Sequence, residues 1–145
     1  MKVLFDTNVI VDYLVHRTRG SREPFYRDSR EVIFLSAQKK LDGIIGAGSI
    51  ADIYYICRKE YQSTEKPLNL ITDLLKLVIL VDTKAYDVQN ALAFTMSDFE
   101  DAIIAATALR ETAEYIITRN IKDFARSPIP AVTPSDFLKQ FVFNA

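Results

Sequence analysis

Short apolar runs, each ended abruptly by a polar residue, alternate along this chain with longer stretches whose apolar positions recur at helical spacing. The runs predict strands at Lys2 to Asp6, Ile44 to Ala47, Val78 to Val81 and Tyr115 to Ile117, with a short last one at Ala131 and Val132 bracketed by Pro130 and Pro134. They are apolar throughout rather than alternating, the pattern of buried parallel strands. Ile10, Val11 and Leu14 predict a first helix to about Val15, with Thr7 or Asn8 as its cap. A polar, Arg-rich connection follows from His16 to Arg30, broken by Ser21 and Pro24. Further helices are predicted from about Asp28 to Leu41, stopped by Asp42-Gly43, and from Ile50 to about Tyr61, opened by Gly48-Ser49. Others run from near Pro67 to about Lys76, from Lys84 to Phe94 with Asp82 or Thr83 as cap, from Ser97 to about Thr112, and from Ser135 to Phe143. Ile121 to Phe124 reads as a turn. Strands that alternate with helices imply an α/β class with a parallel sheet. There is no linker, repeat or low-complexity segment, so residues 1–145 read as a single domain.

Composition narrows the chemistry. Cys57 and His16 are the only residues of their types, which excludes an intramolecular disulfide framework and a Cys/His zinc site. Any metal must take oxygen ligands, which favours magnesium or manganese. A net charge of −1 does not advertise nucleic-acid binding by the protein as a whole, although a local basic patch remains compatible with it. No apolar stretch is long enough to span a bilayer, and Met1-Lys2-Val3 leads straight into a strand without room for a signal peptide; the expected compartment is the cytoplasm.

The candidate chemistry lies where the strands end. Asp6 closes the first strand, and in open α/β sheets ligands bind at that carboxyl edge. Ser49-Ile50-Ala51-Asp52 brings an acid into the first helical turn after the second strand. Ser97-Asp98-Phe99-Glu100 reads as a capping box in which Ser97 caps and Glu100 reaches back. Asp98 and Asp101, three apart, share a face near the positive end of that helix, and Ala102, Ala105, Ala106 and Ala108 keep it slim enough to lie close to the sheet. Thr118, Arg119 and Asn120 leave the fourth strand, with Asp123 within a turn. Helix capping or an Asx turn explains each acid separately. Together they put acids or amides at four strand ends along one sheet edge. Two carboxylates about 5 Å apart repel by roughly 3 kcal/mol at an effective dielectric near 20. A divalent cation would relieve that repulsion, and an open all-oxygen acidic cluster suits metal-assisted phosphodiester hydrolysis.

Three segments, taken in order, resemble the PIN-domain nucleases: Leu4-Phe5-Asp6-Thr7-Asn8-Val9-Ile10, Asp101-Ala102-Ile103-Ile104-Ala105-Ala106-Thr107-Ala108 and Ile117-Thr118-Arg119-Asn120-Ile121-Lys122-Asp123-Phe124. The resemblance runs from the first strand to the closing Pro134 to Leu138. It implies a PIN-like three-layer sandwich, with a central parallel sheet of about five strands flanked by helices. It also implies endonucleolytic cleavage of RNA with Mg2+ or Mn2+. By resemblance Asp6 and Asp101 bind the metal. The family usually has Glu where this chain has Asp52, one methylene shorter, so Asp52 is expected to act through a bridging water. It often has Asp where this chain has Asn120, and Asp123 is placed to supply the missing charge. Asn8 is expected to fix Asp6 by hydrogen bonding, and Thr118 matches a Ser or Thr near the metal. Many small members are toxins of the VapC type, held inactive by a small antitoxin and commonly dimeric; stand-alone members also exist.

Arg17, Arg19 and Arg22, in the connection after the first helix, and Arg119 are candidate RNA contacts, since an arginine fork binds two phosphate oxygens. Tyr54, Tyr55 and Tyr61 are candidates for base stacking, although their helical spacing equally suits core or dimer contacts. No side chain reads as a nucleophile, so attack is expected from water. The alternatives are a non-catalytic PIN-like RNA-binding or scaffold domain and a receiver-like phosphoryl-accepting domain with Asp82 as acceptor. The latter lacks the paired acids after the first strand and the late Lys such a domain needs.

Overall fold

A computed structural model describes residues 1–15 and 23–144. Its elements are β1 (Lys2–Phe5), α1 (Thr7–Leu14), α2 (Glu23–Ala37), β2 (Asp42–Gly46), α3 (Ile50–Tyr61), α4 (Glu65–Leu74), β3 (Ile79–Val81), α5 (Ala85–Ala91), α6 (Phe99–Arg110), β4 (Tyr115–Ile117), β5 (Ala131–Val132) and α7 (Pro134–Asn144). Short 3-10 turns cover Ala47–Ser49 and Ile121–Phe124. The strands form one parallel sheet in the order β3-β2-β1-β4-β5. The three-layer α/β architecture expected from the sequence is therefore the one found. Among the described residues no helix is long and apolar enough to cross a membrane.

Successive strand residues face opposite layers. Val3, Phe5, Ile45 and Ile117 pack into the core shared with α1, α2, α3 and α7. Leu4, Ile44 and Ile116 point the other way, onto Ala105 and Ala108 of α6 and onto Ala113, Phe124 and Ile129. The alanines let α6 sit close to the sheet, while Ala102 and Ala106 pack on Ala91 of α5. Gly43 of β2 is required by close approach, because a Cβ there would collide with the Phe5 ring and with Ser36.

Several element ends differ from the sequence expectation. Asp6 itself caps α1, in place of Thr7 or Asn8, with its carboxylate accepting from the Thr7 amide at 2.8 Å. α2 starts at Glu23 rather than near Asp28, because Pro24 falls in the first turn, where its missing N–H is no loss. It ends at Ala37 rather than Leu41. Lys39 takes a left-handed φ of 58°, and the Lys40 amide donates back to the Leu35 carbonyl at 3.0 Å, so Asp42-Gly43 is free to open β2. α5 is capped by Lys84, not Asp82 or Thr83, with Asp87 accepting from the Lys84 amide. The capping residue of α6 is Asp98, one position after Ser97, and it accepts from the Asp101 amide.

The chain adds strands outward from β1 through β2 to β3, then returns to place β4 on β1's other side. The reversal opens a crevice between the carboxyl ends of β1 and β4, where such sheets bind ligands.

Candidate functional site

Asp6 stands at that reversal. Its amide donates to the Ile117 carbonyl at 2.9 Å, which extends the β1–β4 pairing by one rung. The residue is 5 % exposed and its carboxylate is well supplied with donors: Oδ1 accepts from the Thr7 amide, and Oδ2 accepts from Asn8 Nδ2 at 3.1 Å and the Thr118 hydroxyl at 2.8 Å. Asn8 Nδ2 also reaches Thr118 Oγ1 at 3.3 Å, and Asn8 Oδ1 accepts from the Arg119 amide at 3.2 Å. Thr118 Oγ1 accepts in turn from the Asn120 amide at 3.1 Å. Asn8 thus holds Asp6 as expected, and Thr118 is a fully buried member of the same network. Burial pushes the Asp6 carboxyl up, the bonds from Thr118 and Thr7 pull it down, Asp123 pushes it up again and Arg119 lowers it; the net direction is upward.

Asp101 projects from the first turn of α6. Its carboxyl is pushed up to about 7, first by burial and then by the negative charges of Asp6, Asp98, Asp123 and Glu100. Asp6, from the opposite half of the chain, therefore acts on Asp101, and Asp123 acts on both.

Asp6, Asn8, Asp52, Asp98, Asp101, Arg119, Asn120 and Asp123 all line one cavity of about 670 Å³. Tyr55 and Ile56 of α3, Val88 of α5 and Ile103 of α6 supply apolar wall. Asp52 shares the cavity but is not among the principal charges acting on Asp6 or Asp101, whereas Asp123 is. Among the described residues no three His, Cys, Asp or Glu side chains converge as a ready metal cage. The acids share an open cavity without forming a closed ligand set.

Of the proposed RNA contacts, Arg17 and Arg19, with Arg22, lie outside the described residues. The Nε of Arg119 meets Oδ2 of Asp12 at 2.5 Å, and its guanidinium lies over the Phe25 ring, 5.0 Å from the centre. Asp12 was not legible as part of the site. Its only sequence signal is an acid inside the apolar stripe Ile10-Val11-Asp12-Tyr13-Leu14. The tyrosines separate: Tyr55 is 61 % exposed and lines the cavity, while Tyr61 donates its hydroxyl to the Leu14 carbonyl and packs on the α1 side of the core. A third buried acid, Asp87, lies outside the cavity wall. It takes two bonds from Arg110, at 2.8 and 2.9 Å, and one from Thr107, and so ties α5 to α6.

Comparison with known proteins bears on the fold. The PIN domain family model matches residues 2–122. No curated protein matches the chain. Among solved structures, the chain resembles VapBC2 from Rickettsia felis bound to a DNA fragment from their promoter, at TM-score 0.70 and 20 % identity over 92 % of this chain and 98 % of that one. It resembles a toxin–antitoxin complex from Klebsiella pneumoniae at TM-score 0.63 and 25 % identity, over 91 % and 97 % of the two chains. A third likeness is to Mycobacterium tuberculosis VapC20, a sarcin–ricin loop cleaving toxin, at TM-score 0.59 and 11 % identity over 79 % and 86 %.

Proposed function

The chain belongs to the PIN domain family, and from that premise we propose that it is a metal-dependent endoribonuclease, the toxin of a toxin–antitoxin pair. The observation that carries this reading is the gathering of Asp6, Asp98, Asp101 and Asp123 in one open cavity, where Asp6, Asp98 and Asp123 all push the Asp101 carboxyl up. Family membership sets the receiver-like alternative aside.

The donor set fits a hard divalent cation. Magnesium keeps several waters and is held by one or two carboxylates plus substrate phosphates, so an open site without a three-acid cage suits it. Manganese accepts the same oxygen ligands. Asp6 and Asp101 would hold the ion, Asp52 would reach it through water, and Asp123 or Asn120 would complete the acidic edge. Such an ion would lower the pKa of a water and stabilise charge at the scissile phosphate. The chain's own work is positional. Thr7, Asn8 and Thr118 fix the Asp6 carboxylate, so its oxygens need no reorganisation. Asp98 fixes the first turn of α6 and with it Asp101. Cys57 is buried and the Thr118 hydroxyl is engaged with Asp6, which favours water as the nucleophile.

The likeness to toxin–antitoxin complexes supports an antitoxin as partner; a homodimer as the working assembly and the cytoplasm as its place complete the proposal. Asp52 and Asn120, where the family usually has Glu and often has Asp, favour the rival reading, a PIN-like RNA-binding scaffold without catalysis. The deciding experiment incubates RNA with the purified protein in Mg2+, in Mn2+ and in chelator, with Asp101→Asn as control. Metal-dependent cuts absent from the variant are expected; equal cutting by the variant, or none by the wild type, would reject the nuclease.

A further inference from the structure

Arg119 is held in the cavity wall from three directions. Its amide donates to Asn8 Oδ1, its Nε meets Asp12 Oδ2, and its guanidinium lies over Phe25. The Asp12 side chain is fully buried, and that of Arg119 is 22 % exposed. Stability alone gives little reason for this pair, because well-packed apolar residues commonly replace a buried ion pair at no loss or with a gain. Position 12, within the apolar stripe of α1, would suit leucine. What an apolar residue cannot do is fix the rotamer of a long cation. Nε faces Asp12 in an ion pair, the other donors of the fork lie on its two Nη groups, and the residue lines the cavity that holds Asp6.

We propose that Asp12 is a positioning residue: through Nε, and with Phe25 as platform, it fixes the Arg119 guanidinium beside Asp6 to take a phosphate of single-stranded RNA. This rests on the nuclease reading and adds to it the anchor of the phosphate contact. Pre-fixing the fork matters because an unanchored arginine loses its rotamer freedom on binding.

The test measures binding of a labelled single-stranded RNA oligonucleotide of mixed sequence to the full chain in chelator, over a salt series. It also measures KM and kcat in metal. Arg119→Ala is expected to weaken binding about tenfold, as for one charge-assisted hydrogen bond, and to reduce the salt slope by roughly 0.7. Asp12→Asn is the diagnostic variant, because charge alone and positioning predict opposite signs. Removing an anion beside an RNA site should tighten binding on charge alone, whereas loss of the anchor weakens it, by about threefold or more, and raises KM more than it lowers kcat. The weakening should vanish in an Arg119→Ala background, since the proposal routes the effect of Asp12 on RNA through that side chain. If Asp12→Asn does not fold, Phe25→Leu and Arg119→Lys decide, and both should weaken binding. Binding by Asp12→Asn as tight as wild type or tighter, a loss that persists without Arg119, or wild-type binding by both substitute variants would overturn the inference and leave the nuclease reading intact. A wild type that neither binds nor cuts RNA would overturn both.

Discussion

The hydroxyl of Thr118 donates to Oδ2 of Asp6 at 2.8 Å, joining residues 112 positions apart in sequence. It is the strongest of the bonds that lower the Asp6 carboxyl, and it also receives the Asn120 amide. Thr118→Val keeps the shape and removes all three of its hydroxyl's bonds, to Asp6 and from the Asn120 amide and Asn8 Nδ2. A hydrogen bond to a charged group is worth about 1.5–3 kcal/mol, so RNA cleavage should fall roughly tenfold to a hundredfold while the fold persists. The Asp6 carboxyl should titrate still higher, which NMR can follow. An unchanged rate would show that Asp6 needs no tether.

Asp6→Asn and Asp101→Asn should each abolish cleavage without unfolding the protein. Asp101→Asn should also melt higher than wild type in chelator, because one of the mutually repelling acids is gone. A ligand at a hundred times its dissociation constant adds about 2.7 kcal/mol to the folded state, so Mg2+ or Mn2+ should raise the wild-type melting temperature and close or reverse the gap. Equal shifts of both proteins would argue against a shared cation site.

Stability should also depend on pH in a defined window. The folded Asp101 carboxyl lies at about 7 against an ordinary 3.8. A raised carboxyl means the folded state binds its proton more tightly, so the associated stability is full below about pH 4 and is lost as pH climbs toward 7. Denaturant titration of the metal-free protein should show that decline, and Asp101→Asn should flatten it. A wild-type profile without the decline would mean that Asp101 is not crowded.

Asp123 and Asp52 should differ. Asp123 raises both Asp6 and Asp101, so Asp123→Asn should lower the Asp101 titration midpoint and cost activity, though less than Asp101→Asn. Asp52→Asn should leave that midpoint near its wild-type value. The reverse ordering by NMR titration would reassign the fourth acidic position.

Asp87→Asn supplies the structural control. Burial works against its charge, but the bonds from Arg110, the Lys84 amide and Thr107 hold the Asp87 carboxyl below its usual range. Breaking one side of a buried pair costs about 3–5 kcal/mol. Thermal unfolding should show that loss while the melting shift produced by metal stays as in wild type; a lost metal shift would place Asp87 in the cation site.

The strands were legible because β4 and β5 are unbroken apolar runs with abrupt polar ends, and their predicted bounds match the structure. Element ends were less legible. A left-handed Lys39 closes α2 where glycine is the usual signal, and Pro24 looks like a breaker although it sits inside the first turn. The acids now in one cavity were found because strand ends of a parallel sheet must lie along one edge. Their grouping could not be read from sequence, since whether Asp123 or Asp52 acts on Asp101 depends on distances between loops that no local pattern encodes. Asp12 escaped because its partner, Arg119, stands 107 positions away.

The strand order has a consequence for the order of synthesis. β1 emerges from the ribosome first, yet the neighbour that supplies Thr118 emerges near the end, after α6. A nascent chain translated only as far as α5 has Asp6 and Asp52 but neither Asp101 nor the Thr118 hydroxyl that orients Asp6. The acidic edge is therefore among the last features the growing polypeptide can assemble, so on the nuclease proposal an unfinished copy lacks the site that would cut the RNA being translated around it.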